Sequence, residues 1–184
     1  MPDTSIFLSA APYHILSYGT LLGTEVFQSF VAGIVSYRAL PRAQFATLQT
    51  ALFPVYFYMQ IGLPVAMALT YPAERTATTT LPSGFAGVFH PDNRIQVLTP
   101  LAIVFVTAVA NKVYIQPATT KTMRERKHQE TRDGKKAYDA GPHSDAMQAL
   151  NRKFGILHGA SSLVNIFACI ATVWYGFTLA DRMS

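Results

Sequence analysis

The chain has 184 residues, 50% of them hydrophobic and only 14% charged, where a soluble domain carries about 25% charged residues. The formal net charge of +5 is unevenly spread, with nine of the 15 Lys and Arg between Pro117 and Lys153. This pattern excludes a soluble basic nucleic-acid binder, and the single cysteine, Cys169, excludes a disulfide-built secreted module.

A membrane span needs about 20 mostly apolar residues to cross about 30 Å of hydrocarbon. Four windows qualify, at about 13–37, 47–71, 95–114 and 154–179. They predict an all-α polytopic membrane protein, an antiparallel four-helix transmembrane bundle that occupies 1–184 as one domain. A basic helical loop, 115–153, separates spans three and four.

In chain order, Met1 to Ala11 has no basic n-region, so span one is expected to act as an uncleaved signal anchor. Span one places His14, Tyr18, Glu25, Gln28 and Ser29 on one helical face. The connection Ala39 to Gln44 is short, which makes spans one and two antiparallel neighbours. Span two carries Gln49, Tyr56 and Gln60, with Pro54 and Pro64 positioned to kink it. An irregular Pro- and Gly-rich loop follows, then span three with Thr107 and Asn111. Residues 119–130 are good helix formers that prolong span three to a stop near Gly134. A new helix begins at the N-cap pair Ser144-Asp145 and enters span four. There His158, Ser162, Asn165, Cys169, Thr172 and Gly176 form a small-polar stripe. Gly19-x-x-x-Gly23 and Gly155-x-x-x-Gly159 are read as sites of close packing within the bundle.

Arg38, Arg42, Lys112 and the nine loop cations put 12 basic residues on one side, against Arg75, Arg94 and Arg182 on the other. The positive-inside rule then places the loop in the cytoplasm and both termini in a lumen or outside. Arg124, Arg126, Lys127, Lys135 and Lys136 are expected to face anionic lipid head groups.

With span centres near Thr24, Gln60, Val104 and Ile166, the residues Glu25, Gln60, Thr107 and Asn165 should share one layer close to the midplane. An unpaired carboxylate there costs about 2.5–3.5 kcal/mol even on a lenient scale, so Glu25 must be protonated, paired or wetted. His158, Ser162 and Gln49 form a second candidate site nearer the cytoplasm. His14 lies near the outer end, so the two span histidines cannot share one metal or haem. No phosphate loop, nucleophile elbow or metalloprotease motif occurs, and no catalytic residue, metal or cofactor is expected.

Several blocks resemble the transmembrane protein 205 family. They are Leu22-Gly23-Thr24-Glu25-Val26-Phe27-Gln28-Ser29-Phe30, Leu40-Pro41-Arg42 running on to Leu52-Phe53-Pro54-Val55-Tyr56-Phe57, Thr122-Met123-x-x-Arg126, and Phe154-Gly155-x-Leu157-His158-Gly159-x-Ser161-Ser162-Leu163-x-Asn165. The resemblance implies a small four-span protein of the secretory and endomembrane system, from a family linked to export of platinum compounds. Where that pattern more often has Gln and Trp, this chain has Glu25 and Phe27. Two readings follow. One is a small transporter or export-related protein with a polar midplane site. The other is a non-catalytic membrane subunit or scaffold whose partners are lipid and other membrane proteins, and not nucleic acid.

Overall fold

The structure is a computed structural model that describes residues 7–75 and 80–182. The expectation about a leader in Met1 to Ala11 falls largely on 1–6, outside the described residues. Helix α1 (Ala10–Val26) passes through a π-helical turn, Phe27–Ala32, into α2 (Gly33–Ala39). Helix α3 (Arg42–Leu69) leads to two paired two-residue strands, β1 (Glu74–Arg75) and β2 (Thr80–Leu81), and to the short α4 (Gly84–Val88). Helix α5 (Thr99–Ala110) is joined through a π turn, Asn111–Ile115, to α6 (Gln116–Asp133), and α7 (Asp145–Asp181) closes the bundle.

Three helices are long and apolar enough to cross a membrane: Arg42–Leu69, Pro91–Asp133 and Asp145–Asp181. The first helical stretch, 10–39, is as long but not among them, because Glu25, Gln28 and His14 dilute its apolar run. It packs on α3 and α7 all the same, and its far side shows Ile15, Leu16, Phe27, Phe30, Ile34 and Val35 outward. The helices of 43 and 37 residues are about 64 and 55 Å long at 1.5 Å per residue, well beyond the hydrocarbon thickness. Their surplus, α6 and the first turns of α7, forms a helical hairpin past the apolar zone.

Local chemistry explains the ends of these elements. Gly134 stops α6 in the left-handed region (φ 61°), a conformation that costs a residue with a β-carbon. Ser144 caps α7, its hydroxyl accepting from Met147 N at 3.2 Å. Between them the loop is pinned from both helices: Glu130 Oε1 accepts from Ala137 N at 3.1 Å, and Asn151 Nδ2 donates to Ala137 O at 3.2 Å. Pro54 and Pro64 lie inside α3 without breaking it. They leave the carbonyls of Thr50 and Gln60 without a helical N–H.

The apolar core gathers Leu21, Met67, Tyr71, Val97, Leu101, Val104, Ala171 and Tyr175, in the half of the bundle remote from the basic hairpin. The glycine pairs correct the expectation of packing within the bundle. Gly19, Gly23, Gly155 and Gly159 all open outward, and a β-carbon on any of them would meet nothing. Close approach occurs instead at Gly176, where a β-carbon would overlap the Tyr18 hydroxyl, and at Gly87, where it would overlap the Pro82 carbonyl.

Candidate functional site

The inward face of α1 carries two ionisable groups, His14 and Glu25, both with no exposed surface. Glu25 Oε1 accepts from Gln60 Nε2 at 2.9 Å. Thr172 sits beside the carboxyl while its hydroxyl donates to Ala168 O at 3.1 Å, and Tyr56 and Cys169 line the same pocket of space. No ion pair is formed by Glu25 among the described residues. Its second oxygen, Oε2, has no well-formed hydrogen bond, with the Thr172 hydroxyl beside it but turned to Ala168 O, and Gln60 Oε1 has no partner.

The proposed midplane layer therefore divides. Glu25 and Gln60 come together at the level of Thr172. Asn165, seven residues along α7 and so about 10 Å away at 1.5 Å per residue, accepts instead from Asn111 Nδ2 at 2.9 Å. Thr107 joins neither pair, because its hydroxyl is spent on its own helix, donating to the Ile103 and Val104 carbonyls. A threonine in a helix interior has that local alternative always at hand.

The second group is not gathered either. Gln49 is buried against span one, donating to Ser36 Oγ at 3.0 Å and accepting from Gln28 at 3.4 Å. His158 is exposed and stacks on Phe154, with ring centroids 5.9 Å apart, and Ser162 is half-buried. No hydrogen bond joins these three among the described residues, because α7 at His158 has left the part of the bundle that α1 and α3 cover.

The outer end holds a cluster that residue spacing alone did not reveal. His14 Nε2 accepts from the Tyr175 hydroxyl at 2.5 Å, and Nδ1 donates to Met67 O at 2.8 Å. Tyr71 closes edge-on against the imidazole. Above it, Arg182 donates to Asn93 Oδ1 at 2.7 Å, and Asn93 donates in turn to Gly87 O at 2.8 Å. Burial pulls the Arg182 guanidinium below its ordinary pKa, without bringing it near neutrality. The signal that could have led here was the coincidence in depth of Tyr71 and Tyr175, at the outer ends of spans two and four, with His14.

At the basic end, the structure corrects the set assigned to lipid. Arg126 turns inward: its Nε donates to Asn151 Oδ1 at 2.9 Å and its guanidinium lies 4.5 Å from the Phe154 ring centre. Burial lowers its pKa and Glu130 opposes that shift. Lys127 and Lys136 pair with Glu130 at 3.2 and 4.0 Å, and Lys135 donates to Pro142 O at 2.9 Å. Of the five, Arg124 alone has no such tie among the described residues. Helix geometry is the reason for Arg124, Arg126 and Lys127, which it spreads around α6, while Lys135 and Lys136 belong to the loop past Gly134.

Two comparisons fit this architecture. Residues 16–128 match a family described as a domain of unknown function, DUF4149. Over 172 residues the chain is 36% identical to the Xanthocillin biosynthesis cluster protein D of Aspergillus fumigatus, covering 94% of this chain and 90% of that one. No solved structure matches. With more than half of its length matched, this helical membrane protein belongs to the DUF4149 family.

Proposed function

We propose that the chain is a four-span, non-enzymatic membrane protein of the transport class, and that Glu25 is its proton-carrying carboxyl. The observation that carries this reading is the unfinished hydrogen bonding of the Glu25–Gln60 pair. A carboxylate only accepts and an amide oxygen only accepts, so the two orphaned oxygens cannot serve each other. A proton on Oε2 turns one of them into a donor. An ionisable group that binds and releases a proton at this depth is the usual mark of a transport pathway.

The family relative supports the same direction. A relative named for a xanthocillin biosynthesis cluster fits a role in export of, or tolerance to, a product. The finer likeness to the transmembrane protein 205 blocks fits it too. The basic hairpin then faces the cytoplasm and the termini face a lumen, in a membrane of the secretory pathway. An enzymatic reading has little support: the His14–Tyr175 pair is the closest approach to a base and hydroxyl, and it is sealed from any substrate.

One observation favours the scaffold reading. The gap between Leu21, Met67, Leu101, Val104 and Tyr175 holds only about 10 Å³, at the lower limit for a single water of about 10–15 Å³. A solute would need a second conformation, whereas a proton needs only a transient chain of hydrogen bonds to the buried Glu25 carboxyl. The test is Glu25→Gln, which keeps shape and one hydrogen bond. Purified protein in liposomes carrying a pH-sensitive dye is expected to dissipate an imposed pH gradient, and the variant, with unchanged thermal stability, is expected not to. Equal proton flux in both would move Glu25 to a packing role.

A further inference from the structure

Lys112 is a cation that the bundle does not use. It sits in the π turn Asn111–Ile115, next to the Asn111 side chain that holds Asn165. Its depth follows from two polar rungs that bracket it. At the basic end Arg126 binds Asn151, and at the outer end Arg182 binds Asn93. Asn111 precedes Arg126 by 15 residues and Asn165 follows Asn151 by 14, each about 21–22 Å along a helix at 1.5 Å per residue. The same count to Asn93 and Arg182 gives about 26–27 Å. Lys112 therefore lies well inside the apolar zone, beside the exposed Val113 and Tyr114. Among the described residues it has no carboxylate partner. Its ammonium rests 4.3 Å from the centre of the Tyr58 ring on α3.

From Lys112 the helix presents Gln116, Thr120 and Arg124 at four-residue intervals, one above the next on a single face. With Pro117 and Lys121 they line an open groove of about 400 Å³. Gln116 Oε1 has no hydrogen-bond partner. Lys121 pairs with Glu125 at 4.0 Å on an exposed surface, and Arg124 forms no ion pair among the described residues.

We propose that this groove binds the phosphate head group of an anionic glycerophospholipid, drawn from the basic edge of the bundle toward Lys112. Lys121 and Arg124, one turn apart, supply the charge and hydrogen bonds for a phosphate, and Lys112, twelve residues before Arg124 and so about 18 Å deeper along the helix, adds a long-range attraction. A soluble anion would have to leave water to reach Lys112, whereas a lipid brings acyl chains that cover the apolar surface around Val113 and Tyr114. The inference rests on the membrane-spanning reading, and not on any role for Glu25.

The test uses the full chain in nanodiscs of phosphatidylcholine, with and without added phosphatidic acid, and follows the thermal midpoint. Phosphatidic acid is expected to raise the midpoint by several degrees in the wild type and in Lys127→Gln/Lys136→Gln, whose cations lie outside the groove. The rise is expected to vanish in Lys112→Gln/Arg124→Gln. Should that double variant fail to fold, Arg124→Gln alone is expected to halve the rise and Lys112→Arg to keep it. An equal rise in the groove and control variants would reduce the effect to diffuse loop charge and overturn the site. So would the absence of any rise in the wild type. A rise reproduced in pure phosphatidylcholine by inorganic phosphate would assign the groove to a soluble anion instead.

Discussion

His14 and Glu25 stand eleven residues apart on one face of α1, both fully buried, and the bundle treats them differently. At His14 both ring nitrogens have partners, from α3 and α7, and two tyrosine rings close the sides. At Glu25 one oxygen is bonded and one is not. A fully satisfied buried polar group fixes the register of three helices and has nothing left to give. A half-satisfied one is held at a cost that packing alone does not explain. On this contrast the His14 end is architecture, and the Glu25 level is where the proposed proton site lies.

The contrast is most directly broken at His14. His14→Ala strips the Tyr175 hydroxyl and the Met67 carbonyl of their partner and opens a void between two rings. The expected loss is about 2–4 kcal/mol, combining two orphaned groups with lost packing, read as the unfolding free energy of purified protein in detergent. A loss below about 0.5 kcal/mol, within the range of ordinary surface changes, would erase the distinction drawn here.

Gly176 tests the zone between the two groups. Tyr18 lies edge-on to Tyr175 and its hydroxyl occupies the space where a side chain at 176 would begin. Gly176→Ala forces that ring aside, an overpacking expected to cost about 1–3 kcal/mol. Tyr18→Phe in the same background removes the offending oxygen and is expected to restore most of the loss, measured by the same unfolding experiment. Gly19→Ala, with open space around it, is the control and is expected to be near neutral.

Much of this fold was legible beforehand because its signals are local. Gly134 and Ser144 mark the ends of the hairpin by backbone freedom and capping, and both hold. Apolar length marked four windows, and three of them lie in helices long and apolar enough to cross a membrane, the polar residues of the first keeping it below that standard. Register was not legible. Assigning depth from span centres put Thr107 in the layer of Glu25 and Asn165 with it, whereas Asn165 pairs about 10 Å away, seven residues along α7. The helix of span three was expected to continue to a stop near Gly134, and it runs to Asp133; what length could not give was the depth of Lys112, which was counted at the basic end of that span. Side-chain direction was not legible either. Nothing in the order Arg126-Lys127 says which of the two turns inward.

That last pair gives the smallest expected effect and carries the contrast of satisfied and spare groups outside the apolar zone. Arg126 is held by Asn151 and by the Phe154 ring, and Asn151 in turn holds the Ala137 carbonyl of the loop. Arg126→Ala leaves Asn151 Oδ1 without its donor and exposes the ring, an expected loss of about 1–2 kcal/mol. Its neighbour Lys127 is exposed and makes one ion pair with Glu130, and such pairs are worth about 0.2–1 kcal/mol and weaken in salt. Salt therefore separates the two. Raising ionic strength is expected to remove the small effect of Lys127→Ala and to leave that of Arg126→Ala in place, since a partly buried hydrogen bond and a ring contact are screened far less. If both losses faded together, Arg126 would be one more loop charge, and the hairpin would lose the contact that aligns α6 with α7.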